Sequence, residues 1–207
     1  DTSARAGLRT IGIAMRAWPD APDSIDVDLE HDLTLLGIVG IVDPAKPEAA
    51  AVISEAAGAG VRTVMLTGDH PQTAAAIATS LGMAVDDRSV VSGPELDAAV
   101  REGDDVVARL LDDRIEGTTA FARVSPEHKL LIVDAFQRAG HIVAMTGDGV
   151  NDAPALRRAD IGVAMGRNGT EVAREAADMI LADDDVGTIV HAIREGREIF
   201  ADIRKFL

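Results

Sequence analysis

Apolar positions recur along the chain with two periods, one suited to strands and one to helices. Gly7-Leu8-Arg9-Thr10-Ile11-Gly12-Ile13-Ala14-Met15 alternates polar and apolar residues and is predicted as a strand with one solvated face. Residues 18–30, with Pro19, Pro22 and a run of acids, break the pattern and mark a loop or linker. The run 32–42 is then one long strand or two, ending at Asp43-Pro44. Pro47 stands at a first helical position, and 48–59 is an alanine-rich helix stopped by Gly60.

Two later stretches resemble each other. Residues 59–69 end in Met65-Leu66-Thr67-Gly68-Asp69, and residues 139–148 end in Ala144-Met145-Thr146-Gly147-Asp148. Each is predicted as a helix end, a buried strand, a Thr-Gly-Asp loop and a new helix. In parallel, the two units place both loops on the carboxyl edge of one sheet, because right-handed crossovers return strands in the same direction. The loops can then share a ligand. A helix over 72–81, ended by Gly82, follows the first unit.

Residues 86–117 carry many charges and little clear period, with Val90-Val91 a short strand and 96–111 one or two surface helices; they are predicted as a peripheral insertion. Residues 119–124 return to strand, and Ser125-Pro126 starts a helix, Ser at the cap and Pro next, with Lys129 one turn in. Residues 161–166 and 179–181 are two more short strands, linked by 170–177. From 186 to 207 the spacing of Ile189, Ile193, Ile199, Ile203 and Phe206 predicts a final helix rich in arginine. Strands alternating with helices in this way predict an α/β fold with a parallel sheet.

Composition narrows the function. The 207 residues are 47% hydrophobic, enough for one sizeable core. A net charge of -15 argues against a nucleic-acid backbone or an anionic membrane surface as the main partner, so no nucleic acid is expected. The absence of cysteine excludes disulfides and thiolate metal sites. Aromatics at 2% leave no base-stacking platform.

Chemistry concentrates in Thr146-Gly147-Asp148-Gly149-Val150-Asn151-Asp152, directly after the apolar run Ile142-Val143-Ala144-Met145. Carboxylates, a hydroxyl and an amide at a strand end, beside glycines that let backbone N–H groups point inward, suit Mg2+ and a phosphate. Phosphoryl transfer through an aspartyl phosphate requires a nucleophilic carboxylate, Mg2+, donors for the equatorial oxygens and a cation. Thr67 with the Gly68 amide can serve the oxygens, Lys129 the cation, Asp148 the metal, Asp152 its surroundings and Asn151 another donor. Each has a plainer alternative: Thr67 as a helix cap, Lys129 as a solvated helix lysine, Asp152 as an N-cap. Their joint occurrence at corresponding strand ends favours the site.

The stretch from Thr146 through Asp152 to Ala153-Pro154-Ala155-Leu156 resembles the hinge signature of P-type cation-transporting ATPases, within the haloacid dehalogenase superfamily. Phe121-Ala122-Arg123-Val124-Ser125-Pro126-Glu127-His128-Lys129, Ala159-Asp160-Ile161-Gly162-Val163-Ala164-Met165-Gly166 and Ala176-Ala177-Asp178-Met179-Ile180-Leu181 agree with it. With Glu195-Gly196-Arg197, the similarity is to the calcium and sodium/potassium type.

The resemblance implies a Rossmann-like parallel sheet of the haloacid dehalogenase type. It also implies roles: Thr67, Gly68 and Asp69 hold the transferred phosphate and approach nucleotide, Lys129 contacts phosphoryl oxygens, Asp148 binds Mg2+, and Asn151 and Asp152 support phosphate and metal. Arg9 and Arg123 match contacts to ATP. Two positions depart from the pattern: Asp43-Pro44-Ala45-Lys46 stands where the family has Asp-Pro-Pro-Arg, replacing a planar fork by a point charge, and Asp202 stands where asparagine is usual. The family's phosphorylated aspartate, in Asp-Lys-Thr-Gly-Thr, is absent, and with it the central strand of the family's sheet.

The expected organisation is therefore residues 1–30 as the end of a nucleotide-binding domain and a linker, 31–185 as the C-terminal part of a phosphorylation domain, and 186–207 as a helix leading to a transmembrane segment. The expected partners are ATP and the rest of a pump, membrane helices included, on the cytosolic side of a membrane. The chain by itself is expected to be inactive, and to be either distorted, self-associated through an open sheet edge, or part of a longer polypeptide. A free-standing haloacid dehalogenase phosphatase and a non-catalytic nucleotide- or partner-binding module are the alternatives; a receiver domain fits less well, since its acidic cluster would precede the threonine and lysine strands.

Overall fold

An antiparallel pair comes first, β1 (Arg9–Met15) and β2 (Thr34–Ile41), with Arg9 opposite Ile41 and Met15 opposite Thr34. The computed structural model describes residues 9–18, 20, 29–41 and 45–206. The expectations for Gly7 and Asp43-Pro44, and most of the linker over 18–30, lie outside them; Arg9 opens β1, and its side chain lies outside them as well.

The remainder is α/β with parallel strands, as the alternating pattern predicts. Helix α1 (Ala49–Gly58) leads past Gly60, at φ 71, to β3 (Met65–Thr67) and α2 (Pro71–Ser80). Then come β4 (Val90–Ser92), α3 (Gly93–Glu102), α4 (Asp104–Arg114), β5 (Ala120–Ala122) and α5 (Pro126–Arg138). After β6 (Ala144–Gly147), a 3-10 turn over Val150–Asp152 runs into α6 (Ala153–Arg158), followed by β7 (Ile161–Met165), α7 (Glu171–Ala176), β8 (Met179–Leu181) and α8 (Gly187–Phe206).

The strands form two parallel halves, β3-β5-β4 and β6-β7-β8. The two repeated units therefore do not share one hydrogen-bonded sheet: β3 and β6 end their respective halves and face a cavity of about 560 Å3 lined by Val64, Leu66, Ile132, Val133, Val143 and Met145, among others. The predicted buried strand over 142–145 is correspondingly half open. Ile142 is 80% exposed while Met145 is buried, because one edge of β6 has no partner strand among the described residues.

Helix α5 spans the two halves. Ile132 and Ala135 belong to a core with Val91, Leu96, Val107, Leu111, Ile115 and Phe121, whereas Val133 packs with Met145, Leu156, Ala164 and Ala173. Residues on successive positions of one helix point about 100° apart, so a single helix can serve two cores. Residues 86–117, expected as a peripheral insertion with surface helices, supply β4 and most of the first core; Leu96 and Leu111 are buried. Charges on the outer faces of α3 and α4 masked the apolar inner stripe in the sequence, and tertiary burial overrides that local impression.

Candidate functional site

The loop after β6 is held by Asp152. Its Oδ2 accepts from the amides of Asp148 (3.3 Å) and Gly149 (3.1 Å), and its Oδ1 forms an ion pair with Lys129 Nζ. Both oxygens are thus engaged, with the Asp152 side chain 10% exposed and that of Lys129 20%. The expectation that Asp152 supports the loop's metal ligand is compatible with this. A role as a side-chain N-cap of α6 is not what its carboxylate does, since it reaches backwards to the loop instead. Gly147 permits this approach: a Cβ there would overlap the Asp152 Cβ and stand 2.9 Å from its Cγ.

Lys129 reaches Asp152 because Ser125 sets where α5 begins. The Ser125 hydroxyl accepts from the His128 amide (3.3 Å) and Pro126 takes the first helical position, where a missing N–H costs nothing. Asp148 is exposed, and among the described residues no donor bonds its carboxylate; its backbone carbonyl accepts from Thr170 N (2.7 Å). Asn151 lies exposed on the 3-10 turn. Lys129, Thr146, Asp148 and Asp152, with Val64 just before β3 and Leu66 within it, line a cavity of about 320 Å3 at the carboxyl end of β6.

Thr67 ends β3 on the other half, Gly68 and Asp69 follow it, and none of the three lines that cavity. Thr67 Oγ1 donates to Asp69 Oδ2 (3.0 Å) and accepts from the Asp69 amide (3.1 Å), a closed local turn. Arg123 and Val124 donate their amides to the carbonyls of Asp69 (3.0 Å) and Thr67 (3.2 Å), so the structure joins Arg123 to the Thr67 loop and leaves it apart from Asp148. Arg123 has φ 53, a conformation uncommon for non-glycine residues that bends the chain sharply from β5 into α5.

Sequence reasoning missed the support behind Asp148. Asp184, buried and at φ 58, accepts from the amides of Arg167 and Asn168 (2.9 Å each), and Arg174 Nη1 donates to the carbonyls of Gly166 (3.2 Å) and Gly169 (2.6 Å). Its neighbours Asp185 and Asp183 accept from Gly187 N (2.8 Å) and Thr188 Oγ1 (3.1 Å) at the start of α8. The run Asp183-Asp184-Asp185 before a helix was the available signal, since aspartate at a helix entry accepts orphan amides.

The Arg167 amide, with that of Asn168, holds the Asp184 carboxyl below its ordinary value of 3.8. A depressed carboxyl stabilises the fold fully above its unfolded value and loses that contribution as pH falls through the folded one. Asp184→Asn is therefore expected to unfold at a lower temperature than the parent near neutral pH, with the gap closing below the ordinary value. Thermal melts at the two pH values check this; a gap independent of pH would refute it.

A family model described as haloacid dehalogenase-like hydrolase matches residues 6–160, and a second of the same description matches 132–193. The chain belongs to the haloacid dehalogenase-like hydrolases. It is 48% identical over 204 residues to a calcium-transporting ATPase of Bacillus subtilis, covering 99% of this chain and 22% of that protein. It is 46% identical over 209 residues to calcium-transporting ATPase 1 of Saccharomyces cerevisiae, covering 100% of this chain and 21% of that protein. A probable cation-transporting ATPase F of Mycobacterium bovis is 46% identical over 206 residues, with 97% and 22% covered. The chain thus spans about a fifth of the length of these relatives. They agree with the resemblance carried by the Thr146 to Leu156 motif. No helix among the described residues is long and apolar enough to cross a membrane.

Proposed function

We infer that this haloacid dehalogenase-like chain is the phosphorylation-domain part of an ATP-driven, P-type cation pump and serves as a cytosolic domain of an integral membrane protein. The observation that carries this is the Lys129–Asp152 ion pair, which fixes the loop so that Asp148 is presented unpaired beside a cation at a strand's carboxyl end. The high identity to cation-transporting ATPases along the whole chain supports it.

The donors fit Mg2+. This ion keeps several waters and takes one or two carboxylates plus phosphate oxygens, so one open carboxylate, Asp148, is an adequate protein ligand; no group of three possible ligands occurs among the described residues. Bound there, Mg2+ would neutralise charge on the transferred phosphoryl group. Asp152 orients Asp148 from behind, with its own oxygens already engaged. Lys129 faces the cavity with an ammonium able to contact phosphoryl oxygens, and Asn151 lies on its rim. The same reading assigns phosphoryl oxygens to Thr67 and the Gly68 amide, and contacts with ATP to Asp69, Arg123 and Arg9.

The phosphorylated aspartate belongs to an Asp-Lys-Thr-Gly-Thr strand outside this sequence, and the cavity between β3 and β6 is where that central strand would complete the sheet. Without it the chain does not autophosphorylate, and its open edges favour self-association. Helix α8 follows the Asp183–Asp185 cap and carries exposed Ile199, Phe200, Ile203 and Phe206 toward its end, a shape suited to continuing into the membrane part of the pump.

The test is ATP hydrolysis by the intact polypeptide. Cation-stimulated hydrolysis with an acid-stable, hydroxylamine-sensitive phosphoenzyme is expected, lost on Asp148→Asn and undetected on this chain alone. Hydrolysis of small phosphate esters by this chain alone, without cation stimulation, would overturn the assignment in favour of a free-standing phosphatase.

A further inference from the structure

The imidazole of His128 is almost fully enclosed, 5% exposed as a side chain, yet it is not part of the cavity that holds Lys129. Its Nδ1 accepts from the Ser125 amide (3.1 Å) while its own amide donates to the Ser125 hydroxyl, closing a reciprocal cap in which an imidazole replaces the usual glutamate or glutamine. An N–H must donate, so Nδ1 carries the lone pair and the neutral ring bears its proton on Nε2. That nitrogen lies 3.0 Å from Asp97 Oδ1 on α3. Glutamine at this position could close the cap; the ring also extends beyond it to a second helix.

The wall against which the ring rests admits no side chain. A Cβ on Gly93, the first residue of α3, would overlap the Arg123 carbonyl oxygen and stand 3.3 Å from His128 Nδ1. The first turn of α5 is thus clamped on one side by α3. The next residue is Lys129, which points toward β6 and Asp152.

We propose that His128 is a positioning residue for Lys129: the Ser125–His128–Asp97 hydrogen-bond relay locks the first turn of α5 against α3, so that the Lys129 ammonium is held where a phosphoryl group would sit. The proposal rests on the reading of the Lys129–Asp148 cavity as the phosphoryl-transfer site. Asp97 holds the ring from a half-exposed position, which makes it the probe least able to disturb folding.

The experiment measures phosphoenzyme formation from ATP in the intact polypeptide, resolved into maximal rate and half-saturating ATP, for His128→Ala, His128→Gln, Asp97→Ala and Lys129→Met. His128→Ala is expected to slow the maximal rate roughly tenfold, with half-saturating ATP within about twofold of the parent, since misplacing a catalytic group costs rate rather than substrate affinity. Asp97→Ala should slow it about threefold, and His128→Gln, which restores the cap, should recover to within about threefold of the parent. Parent rates in His128→Ala or Asp97→Ala, or a glutamine variant as slow as the alanine one, would overturn the positioning role. If Lys129→Met is inactive while Asp97→Ala and His128→Ala match the parent, only that role fails; Lys129→Met at the parent rate would remove the site reading itself.

Discussion

Gly147→Ala is expected to destabilise this chain by roughly 3 kcal/mol, at the upper end for overpacking, because the new methyl has nowhere to go. It would overlap the Asp152 Cβ and sit 2.9 Å from Cγ, on the carboxylate that collects the Asp148 and Gly149 amides and the Lys129 ammonium. Relief requires Asp152 to swing away, which breaks those contacts together and leaves a buried charge short of donors. Urea denaturation of parent and variant reads the stability change, and phosphoenzyme formation in the intact polypeptide, expected to fall about a hundredfold, reads displacement of Asp148. A variant within about 0.5 kcal/mol of the parent would show that the loop has room the geometry denies.

Lys129→Met is the second large effect and separates the structural part of that lysine from its chemistry. Methionine preserves most of the volume and removes the ammonium, so the mostly buried Asp152 carboxylate keeps only its two amide donors. The expected cost is about 3 kcal/mol near neutral pH, since breaking one partner of a buried pair leaves the other charge uncompensated. Asp152→Asn added to Lys129→Met should recover at least about 1 kcal/mol of the summed single costs, the sign of direct coupling. Activity should not recover in the double variant, because the cation itself is gone. Additive costs in a thermodynamic cycle would contradict the ion pair.

Most of the elements were legible because each announces itself locally. The Ser125-Pro126 start of α5, the Gly60 stop after α1 and the short strands β7 and β8 follow from caps, glycines and apolar runs that need no distant partner. The buried strand predicted within 59–69 is confined to β3, Met65–Thr67, because a strand extends only as far as its neighbour pairs with it and β5 offers three residues. The segment 86–117 was misjudged for a related reason. A helix with a charged outer face and a core-facing stripe looks superficial until the sheet on which it packs is known.

The candidate site divides in the same way. Thr67, Lys129, Asp148 and Asp152 stood out because carboxylates, a hydroxyl and a lysine at strand ends are the donors phosphate and Mg2+ require, and their identities alone carry that. Which of them meet is a different matter. Asp152 was expected to aid the metal; the structure places its carboxylate against Lys129 and two loop amides. The support from Thr170 and His128 had no strong sequence signal, since each acts by accepting or donating to backbone groups brought near by folding.

By itself the sequence determined the α/β class, the order of elements, the candidate site loop and the family motif. These depend on residue type and short-range spacing, which survive in a linear string. Only the tertiary structure decided that the strands lie in two halves, that β6 is open on one edge, that α5 spans both cores, and that Asp152 faces Lys129 from 23 residues away. Those outcomes depend on which distant surfaces exclude water together and which buried polar groups then find partners, and neither is encoded in any one segment.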